Sequence, residues 1–511
     1  MGSKDAEVMK EGIIMKKLMT LALAAAMMLG AATGANAIDF KAKGQWIMSF
    51  DYGMHGNFGE SKAKNNSGFK NEDEFEARQR VRLQLDAVAS EALSGTVFFE
   101  IGDQVWGDND NGGALGADGK VVELKRAYID WMVPQTDLKV RMGIQGIALP
   151  SFTTNASQIM DDDVAAISLN YQFNENVGLT AFWARPYNDN GGYSSGWDTD
   201  YDKNYMDNMD MFAVLLPLTF DGVKVTPWVM YAAMGPGMFD NLENDRGNAW
   251  GRASAGMVSG FTGTDPLDTY GNAFWAGVTG EVTYWDPFRI AWDVNYGSAS
   301  YADEKMNREG WLASLLLEYK LDWGTPGLYG WYSTGDDNNP KNGSERMPVV
   351  SANGNNGFSN FAFNGNPYIA REGILGSTMV GTWGIGARLK DVSFLEDLKH
   401  TLRVNFMGGT NAPKMAKYVS HNSFKDSARV TQYGTSYDPM YLTTDDYALE
   451  IGLTNTYKMY DNFTIMLDAA YVALWLDDST STWGKNPGRS ALGGDGVYDA
   501  WNVNLSFVYS F

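Results

Sequence analysis

The chain has 511 residues, with 40 basic and 62 acidic side chains for a net charge of −22, three histidines and no cysteine. The absence of cysteine excludes a disulfide scaffold and thiolate metal sites, and the acidity argues against a nucleic-acid partner, which would require a basic surface. A mean hydropathy of −0.30 argues against a bundle of transmembrane helices. It is compatible with a membrane β-barrel, whose strands alternate apolar and polar residues.

The N-terminal segment predicts export from the cell. Residues 15–37 combine a lysine pair, a largely apolar run and the tripeptide Ala35-Asn36-Ala37, the order found in a secretory signal peptide that is cleaved after Ala37. We interpret residues 1–14 as the product of an incorrectly assigned start codon, with translation beginning at the methionine that opens the signal. The mature chain is then expected to occupy the cell outer membrane.

Beyond the signal, hydrophobicity alternates with a period of two, which is typical of strands with one apolar and one polar face. The first segment has Ile47 as its single exception, and the second has Gln79. A count of sixteen strands is the alternative, because Pro217 and Pro227 each remove a hydrogen-bond donor from a ladder. The full prediction is eighteen segments: 39–54, 75–89, 92–106, 121–133, 137–148, 164–173, 177–187, 208–218, 222–234, 272–284, 288–297, 311–321, 327–335, 378–390, 397–408, 445–458, 462–475 and 498–511.

The connections alternate strictly between short turns and long loops, three of which (235–271, 336–377 and 409–444) exceed thirty residues. This alternation places all short turns at one end of the sheet, as in outer-membrane barrels with short periplasmic turns and long extracellular loops. We therefore predict an all-β fold, a transmembrane antiparallel up-and-down β-barrel of about 18 strands that forms one domain over 38–511. A soluble β-sandwich also alternates, but it would not require aromatic residues at the strand ends near the short turns.

Four segments carry a resemblance to a known family: the signal of residues 15–37, residues 78–86, residues 125–131 and the C-terminal residues 507–511. With them, the chain resembles the homotrimeric outer-membrane porins of sulfate-reducing, Desulfovibrio-type bacteria over essentially all of 38–511. The resemblance implies a homotrimer of water-filled barrels, surrounded by outer-membrane lipid and lipopolysaccharide, that passes small hydrophilic solutes. The alternating Phe507, Tyr509 and Phe511 resemble the signal by which the barrel-assembly machinery recognises its clients.

Basic side chains mark the expected pore lining, because they lie on the polar faces of the second, fourth and fifth segments. They are Arg78, Arg80, Arg82, Arg126, Arg141 and Lys139. The resemblance implies that the third long loop, about 149–163, folds inward and narrows the barrel. Its acidic end and a carboxylate of the third segment are the expected counter-charges: Asp161, Asp162, Asp163 and Glu100.

Other interpretations of these charges stay open. The arginine run could lie on a solvated outer face, and the aspartate triplet could cap a helix or hold Ca²⁺. No cofactor is expected apart from that loop-bound Ca²⁺. None of the three histidines (His55, His400 and His421) has a companion motif, so we predict no catalytic residue and no enzyme.

The sequence thus predicts a porin, a passive diffusion channel whose selectivity is set by an arginine ladder facing an acidic loop. A substrate-specific channel of eighteen strands is the main alternative, and an outer-membrane barrel enzyme or an adhesin is a more remote one. The sequence leaves the sign of ion selectivity and the permeating solutes open.

Overall fold

The computed structural model describes residues 38–54, 73–109, 112–117, 119, 122–188, 208–235, 256–259, 270–352, 356–370, 373–415, 441–477 and 499–511. The predicted signal peptide, with Ala35 and Ala37, lies outside these residues, as do His55 and His421. Among the described residues, helix is confined to two 3-10 turns, Glu304–Met306 and Pro413–Met415. None of this helix is long and apolar enough to cross a membrane.

The described strands form one antiparallel sheet in which consecutive strands pair along the chain, except that β8 and β9 both pair with β10, and β1 also pairs with the last strand. The sheet is therefore closed. Its strands are β1 (Asp39–Met54), β2 (Asp73–Ser90), β3 (Leu93–Val105), β4 (Val122–Met132), β5 (Leu138–Ala148), β6 (Asp161–Gln172), β7 (Gly178–Asn188), β8 (Asn208–Leu215), β9 (Leu218–Phe220), β10 (Val223–Met234), β11 (Gly271–Val282), β12 (Phe288–Ser300), β13 (Arg308–Tyr319), β14 (Thr325–Ser333), β15 (Thr382–Leu395), β16 (Leu398–Gly409), β17 (Tyr447–Tyr460), β18 (Phe463–Trp475) and β19 (Ala500–Ser510).

The barrel has 18 strands, because β8 and β9 both pair with β10 and form one interrupted strand. The interruption falls at Leu216 and Pro217, where proline has no N–H to donate to the ladder. Each of the eighteen predicted segments corresponds to one barrel strand, so the predicted fold is confirmed and the alternative of sixteen strands is wrong.

The outer face of the barrel is apolar. Side chains of one parity on each strand are large, hydrophobic and exposed, as a lipid-facing wall requires. Examples from six strands are Trp46, Ile167, Leu315, Leu328, Ile451 and Leu467.

The barrel is filled from within by two of its loops rather than by wall side chains alone. Residues 149–160, between β5 and β6, and residues 334–381, between β14 and β15, contribute many of the buried apolar side chains. These pack against inward-facing side chains of strands from β5 round to β19 in a single hydrophobic cluster. From the loops the cluster includes Leu149, Ile159, Met160, Met347, Val349, Phe358, Phe361, Phe363, Leu375 and Met379. The cluster therefore extends around most of the barrel and contains no residue of β1 to β4.

Candidate functional site

The predicted arginine ladder lies on β2, and each of its three guanidinium groups has a carboxylate partner on the same wall. Arg80 donates to both oxygens of Asp103 at 2.5 Å, and Arg82 donates to Glu100 at 2.6 Å. Arg78 forms an ion pair with Glu76, two residues away. The register explains the second pair, since Arg82 lies directly opposite Glu100 in the β2–β3 ladder.

The basic residues of β4 and β5 are paired in the same way. Arg141 forms a bidentate contact with Asp130 at 2.6 and 2.8 Å, and Lys139 approaches the same carboxylate at 3.0 Å. Arg126 pairs with Asp163 at 2.5 Å. All the basic residues predicted to line the pore are thus held by carboxylates of the wall itself.

The aspartate triplet does not belong to a constriction loop, contrary to the prediction. Asp161, Asp162 and Asp163 are the first three residues of β6, and they lie opposite Ala148, Ile147 and Gly146 of β5. The strand begins earlier than the hydrophobic pattern indicates, because backbone pairing with β5 holds these residues extended although none is apolar. The predicted arrangement of a basic ladder facing an acidic loop is therefore replaced by ion pairs within one wall.

Exposure separates this charged wall from the rest of the lumen. The side chains of its basic residues on β2, β4 and β5 keep between 16% exposure, at Arg80, and 40%, at Lys139. Inward-facing residues of β11, β13, β16, β17 and β18 are fully buried by the loops, and they include Trp275, Leu316, Asn405, Glu450 and Val472. The charged wall of β2 to β5 therefore borders accessible space, and so does Arg289 of β12, whose side chain is 29% exposed.

The first inward loop, residues 149–160, is fixed to the opposite wall by Asp293 of β12. The Asp293 carboxylate accepts hydrogen bonds from the Phe152 and Thr153 backbone amides at 2.9 and 3.1 Å and from the Ser151 hydroxyl at 2.8 Å. Arg289 donates to the Phe152 carbonyl at 2.8 Å. Because β5 and β12 lie far apart around the barrel, this loop crosses the lumen.

The second inward loop, residues 334–381, is fixed by Glu450 of β17. Its carboxylate accepts hydrogen bonds from the backbone amides of Asn360, Phe361 and Ala362 at 2.9, 2.6 and 3.0 Å. Further along the loop, the Asn366 side chain donates to Asp468 of β18 at 2.6 Å. A buried carboxylate that accepts several amide hydrogen bonds is a strong local attachment point.

The two loops also contact each other inside the barrel. The Val350 amide donates to the Ile159 carbonyl at 3.0 Å, and the Met379 amide donates to the Gln158 side chain at 3.2 Å. The Phe358 ring stacks on Tyr329 of the wall with ring centroids 4.2 Å apart. The constriction is therefore a composite of two loops, mostly apolar where they touch.

A buried polar network closes the base of the second loop. Asp336 accepts hydrogen bonds from the Ser344 and Tyr441 hydroxyls at 2.5 and 2.6 Å. Burial raises the pKa of Asp336 above the ordinary range of an aspartate. The nearby positive charge of Arg346 and the hydrogen bonds that the Asp336 carboxylate accepts oppose this rise. This network holds the loop to the segment after β16, near Asn411.

The C-terminal residues complete the seam of the barrel. Phe511 follows β19 and exchanges two backbone hydrogen bonds with Gly44 of β1, at 2.8 and 3.0 Å. A Cβ atom at Gly44 would lie 2.4 Å from the Phe511 ring, so this ring requires glycine beneath it. Phe507 and Tyr509 lie opposite Met48 and Trp46 of β1 in the same ladder.

The structure also bears on two further points of the sequence analysis, the histidine His400 and the predicted loop-bound Ca²⁺. His400 lies on β16 with its Nδ1 atom 2.6 Å from the Asn455 side-chain oxygen. Within the described part of the chain, no three His, Cys, Asp or Glu side chains are grouped closely enough to hold a metal ion, and loop-bound Ca²⁺ stays a prediction.

Sequence reasoning missed the second inward loop, although its composition carries a signal. An extracellular loop exposed to water should be polar, whereas residues 347–363 contain two valines, a methionine and three phenylalanines. Apolar side chains at that density indicate burial. The wall carboxylates that hold both loops, Asp293 and Glu450, were also missed, because a single acid on a polar strand face has no distinguishing pattern.

The sequence matches no protein-family model and no curated protein. The structure is similar to that of a BenF-like porin from Pseudomonas fluorescens Pf-5, at 9% identity and a TM-score of 0.51, over 93% of this chain and 99% of that one. It is also similar to Pseudomonas aeruginosa OpdQ (9% identity, TM-score 0.49, 94% and 99% covered) and OprD (10%, 0.49, 92% and 95%). The first of these similarities, at such low identity, concerns the fold alone, that of a closed antiparallel β-barrel.

Proposed function

We propose that the protein is an outer-membrane porin, a passive diffusion channel for small hydrophilic solutes and ions. The observation that carries the proposal is a contrast in exposure around the lumen: the inward-facing apolar side chains from β11 to β18 are buried, while charged side chains on β2 to β5 stay accessible. In a closed barrel without such a path, this row of ion pairs would be buried, and the free energy of desolvation can exceed what the pairing returns. Export through a cleaved signal and assembly into a homotrimer belong to the same proposal.

The charged wall supports an ion selectivity that depends on the field close to each ion pair, and not on a field between opposite sides of the pore. Each arginine is within hydrogen-bond distance of a carboxylate, so the positive and negative potentials largely cancel at the pore axis. A passing solute meets alternating charges along the wall, and we expect weak discrimination between small cations and anions. The width left beside the loops then sets the size limit.

Planar-bilayer recordings on the purified protein test this proposal. The expected result is stepwise conductance increments with a reversal potential close to zero in a salt gradient, together with swelling of liposomes in small sugars. A reconstituted, folded barrel that gives no conductance would contradict it.

A substrate-specific channel is the second candidate, and one cavity favours it. About 320 Å³ of space lies beside β5 to β8, and its lining includes Lys139, Arg141 and the apolar Phe182. Ser168 and Asn170 supply polar atoms to the same cavity. A solute that blocks the current at micromolar concentration would favour this candidate, and block only at tens of millimolar would argue against it.

A further inference from the structure

One buried carboxylate on the barrel wall holds two arginines of neighbouring strands. Glu318 is the second-last residue of β13, and its side chain is 7% exposed. Its Oε2 atom accepts a hydrogen bond from Arg289 of β12 at 2.8 Å, and its Oε1 atom accepts one from Arg388 of β15 at 2.6 Å. Each oxygen of the carboxylate therefore holds a different guanidinium group.

Each of these arginines also donates to a backbone carbonyl of a different inward loop. Arg289 donates to Phe152 of the first inward loop at 2.8 Å, and Arg388 donates to Gly357 of the second at 3.1 Å. A continuous chain of hydrogen bonds thus runs from the Phe152 carbonyl through Glu318 to the Gly357 carbonyl. We name the three charged side chains in this chain the Glu318 bridge.

Both arginines are paired with Glu318, but Arg388 depends on it more. The Arg388 side chain is 7% exposed, and among the described residues Glu318 is the carboxylate with which it forms an ion pair. Arg289 is 29% exposed and also pairs with Glu281 at 2.8 Å. Because separating a buried ion pair leaves an uncompensated charge away from water, a shift of Glu318 is expected to draw Arg388 with it.

We propose that the Glu318 bridge couples the two inward loops, so that release of one loop from the wall weakens the attachment of the other. The main anchors of the loops are separate, since Asp293 holds the first and Glu450 holds the second. Residues that belong to one network of ion pairs and hydrogen bonds do not act independently. A network that reaches a carbonyl in each loop therefore makes Glu318 a positioning residue for the whole constriction.

Amide hydrogen exchange, followed by mass spectrometry on the purified barrel, tests the coupling. Asp293→Asn weakens the anchor of the first loop, and exchange is then measured in residues 356–363 of the second. In the parent background we expect Asp293→Asn to speed this exchange by roughly fivefold to tenfold. In a Glu318→Gln background the same substitution should change it less than about twofold, because the bridge is already broken.

A reciprocal measurement and a matched control separate the bridge from the direct contact between the loops. Coupling between two sites is reciprocal, so Glu450→Gln should speed exchange in residues 149–160 of the first loop by the same factor. Gln158→Ala removes the side chain that accepts the hydrogen bond from the Met379 amide and leaves the bridge intact. The effect of Asp293→Asn on the second loop should therefore persist in Gln158→Ala.

Three results would overturn the proposal. They are no response of the second loop to Asp293→Asn, an equal response with and without Glu318→Gln, and loss of the response in Gln158→Ala. If Glu318→Gln does not fold, Glu318→Asp takes its place in the same comparison, because its shorter side chain is expected to lose one of the two arginines. Exchange is measured whether or not the barrel conducts, so these results are separate from those of the bilayer recordings.

Discussion

Replacing Glu450 by glutamine tests how the second inward loop is held in the lumen. Glu450 is fully buried and accepts three backbone hydrogen bonds, from Asn360, Phe361 and Ala362. Hydrogen bonds to a charged acceptor contribute about 1.5–3 kcal/mol each, and neutral ones about 0.5–1.5 kcal/mol. Neutralising the acceptor therefore weakens loop attachment by roughly 3–5 kcal/mol, about a hundredfold or more in the docked population.

Single-channel recording is the appropriate assay for Glu450→Gln. Because glutamine has nearly the same volume, we expect the barrel to stay folded while the loop leaves its docked position for part of the time. The channel should show a higher and more variable conductance, and liposomes should admit larger sugars. Glu309→Gln, at an exposed position on β13, is the matched control. Conductance and size limit equal to those of the parent would refute the idea that Glu450 anchors the loop.

Four further outcomes are expected. Asp293→Asn should release loop 149–160 and raise conductance by a smaller amount, which single-channel recording would show. Arg82→Gln should remove the shortest ion pair of Glu100 and one positive charge from the charged wall, and so shift the reversal potential towards cation preference; a shift towards anions would be inconsistent with this pairing. Gly44→Val should displace the Phe511 ring and reduce the heat-modifiable, folded form on gels. Because the pKa of Asp336 is raised in the folded protein, the stability of its loop should fall as pH rises above the ordinary aspartate range, and Asp336→Asn should remove that dependence in amide exchange.

The strands could be predicted because lipid and water impose opposite requirements on alternate residues. The exceptions to that alternation also have local causes. Ile47 is an apolar residue at an inward-facing position of β1, and it packs against Ile369 of the second inward loop and Val508 of β19. Gln79, a polar residue at an outward-facing position, donates to the Gln104 side chain at 2.8 Å. At both positions, a break in the alternation coincides with a side-chain contact whose partner could not be identified from the alternation alone.

The partners of the charged residues could not be predicted, because they depend on register between strands. The sequence indicates that Arg82 and Glu100 face the lumen, but only the ladder places them opposite each other. Which loops fold inward depends on a few long-range contacts, such as that of Phe152 with Asp293, between residues about 140 apart in sequence.

Cysteine accessibility measured on open channels tests most directly whether the hydrated path follows the charged wall. Gln84→Cys on β2 and Ala470→Cys on β18 both place a thiol at an inward-facing position, the first beside the ladder and the second beneath the loops. A charged methanethiosulfonate reagent should modify Gln84→Cys quickly and lower its current, while Ala470→Cys stays unmodified. Rapid modification and block at Ala470→Cys with none at Gln84→Cys would show that solutes pass on the other side of the lumen.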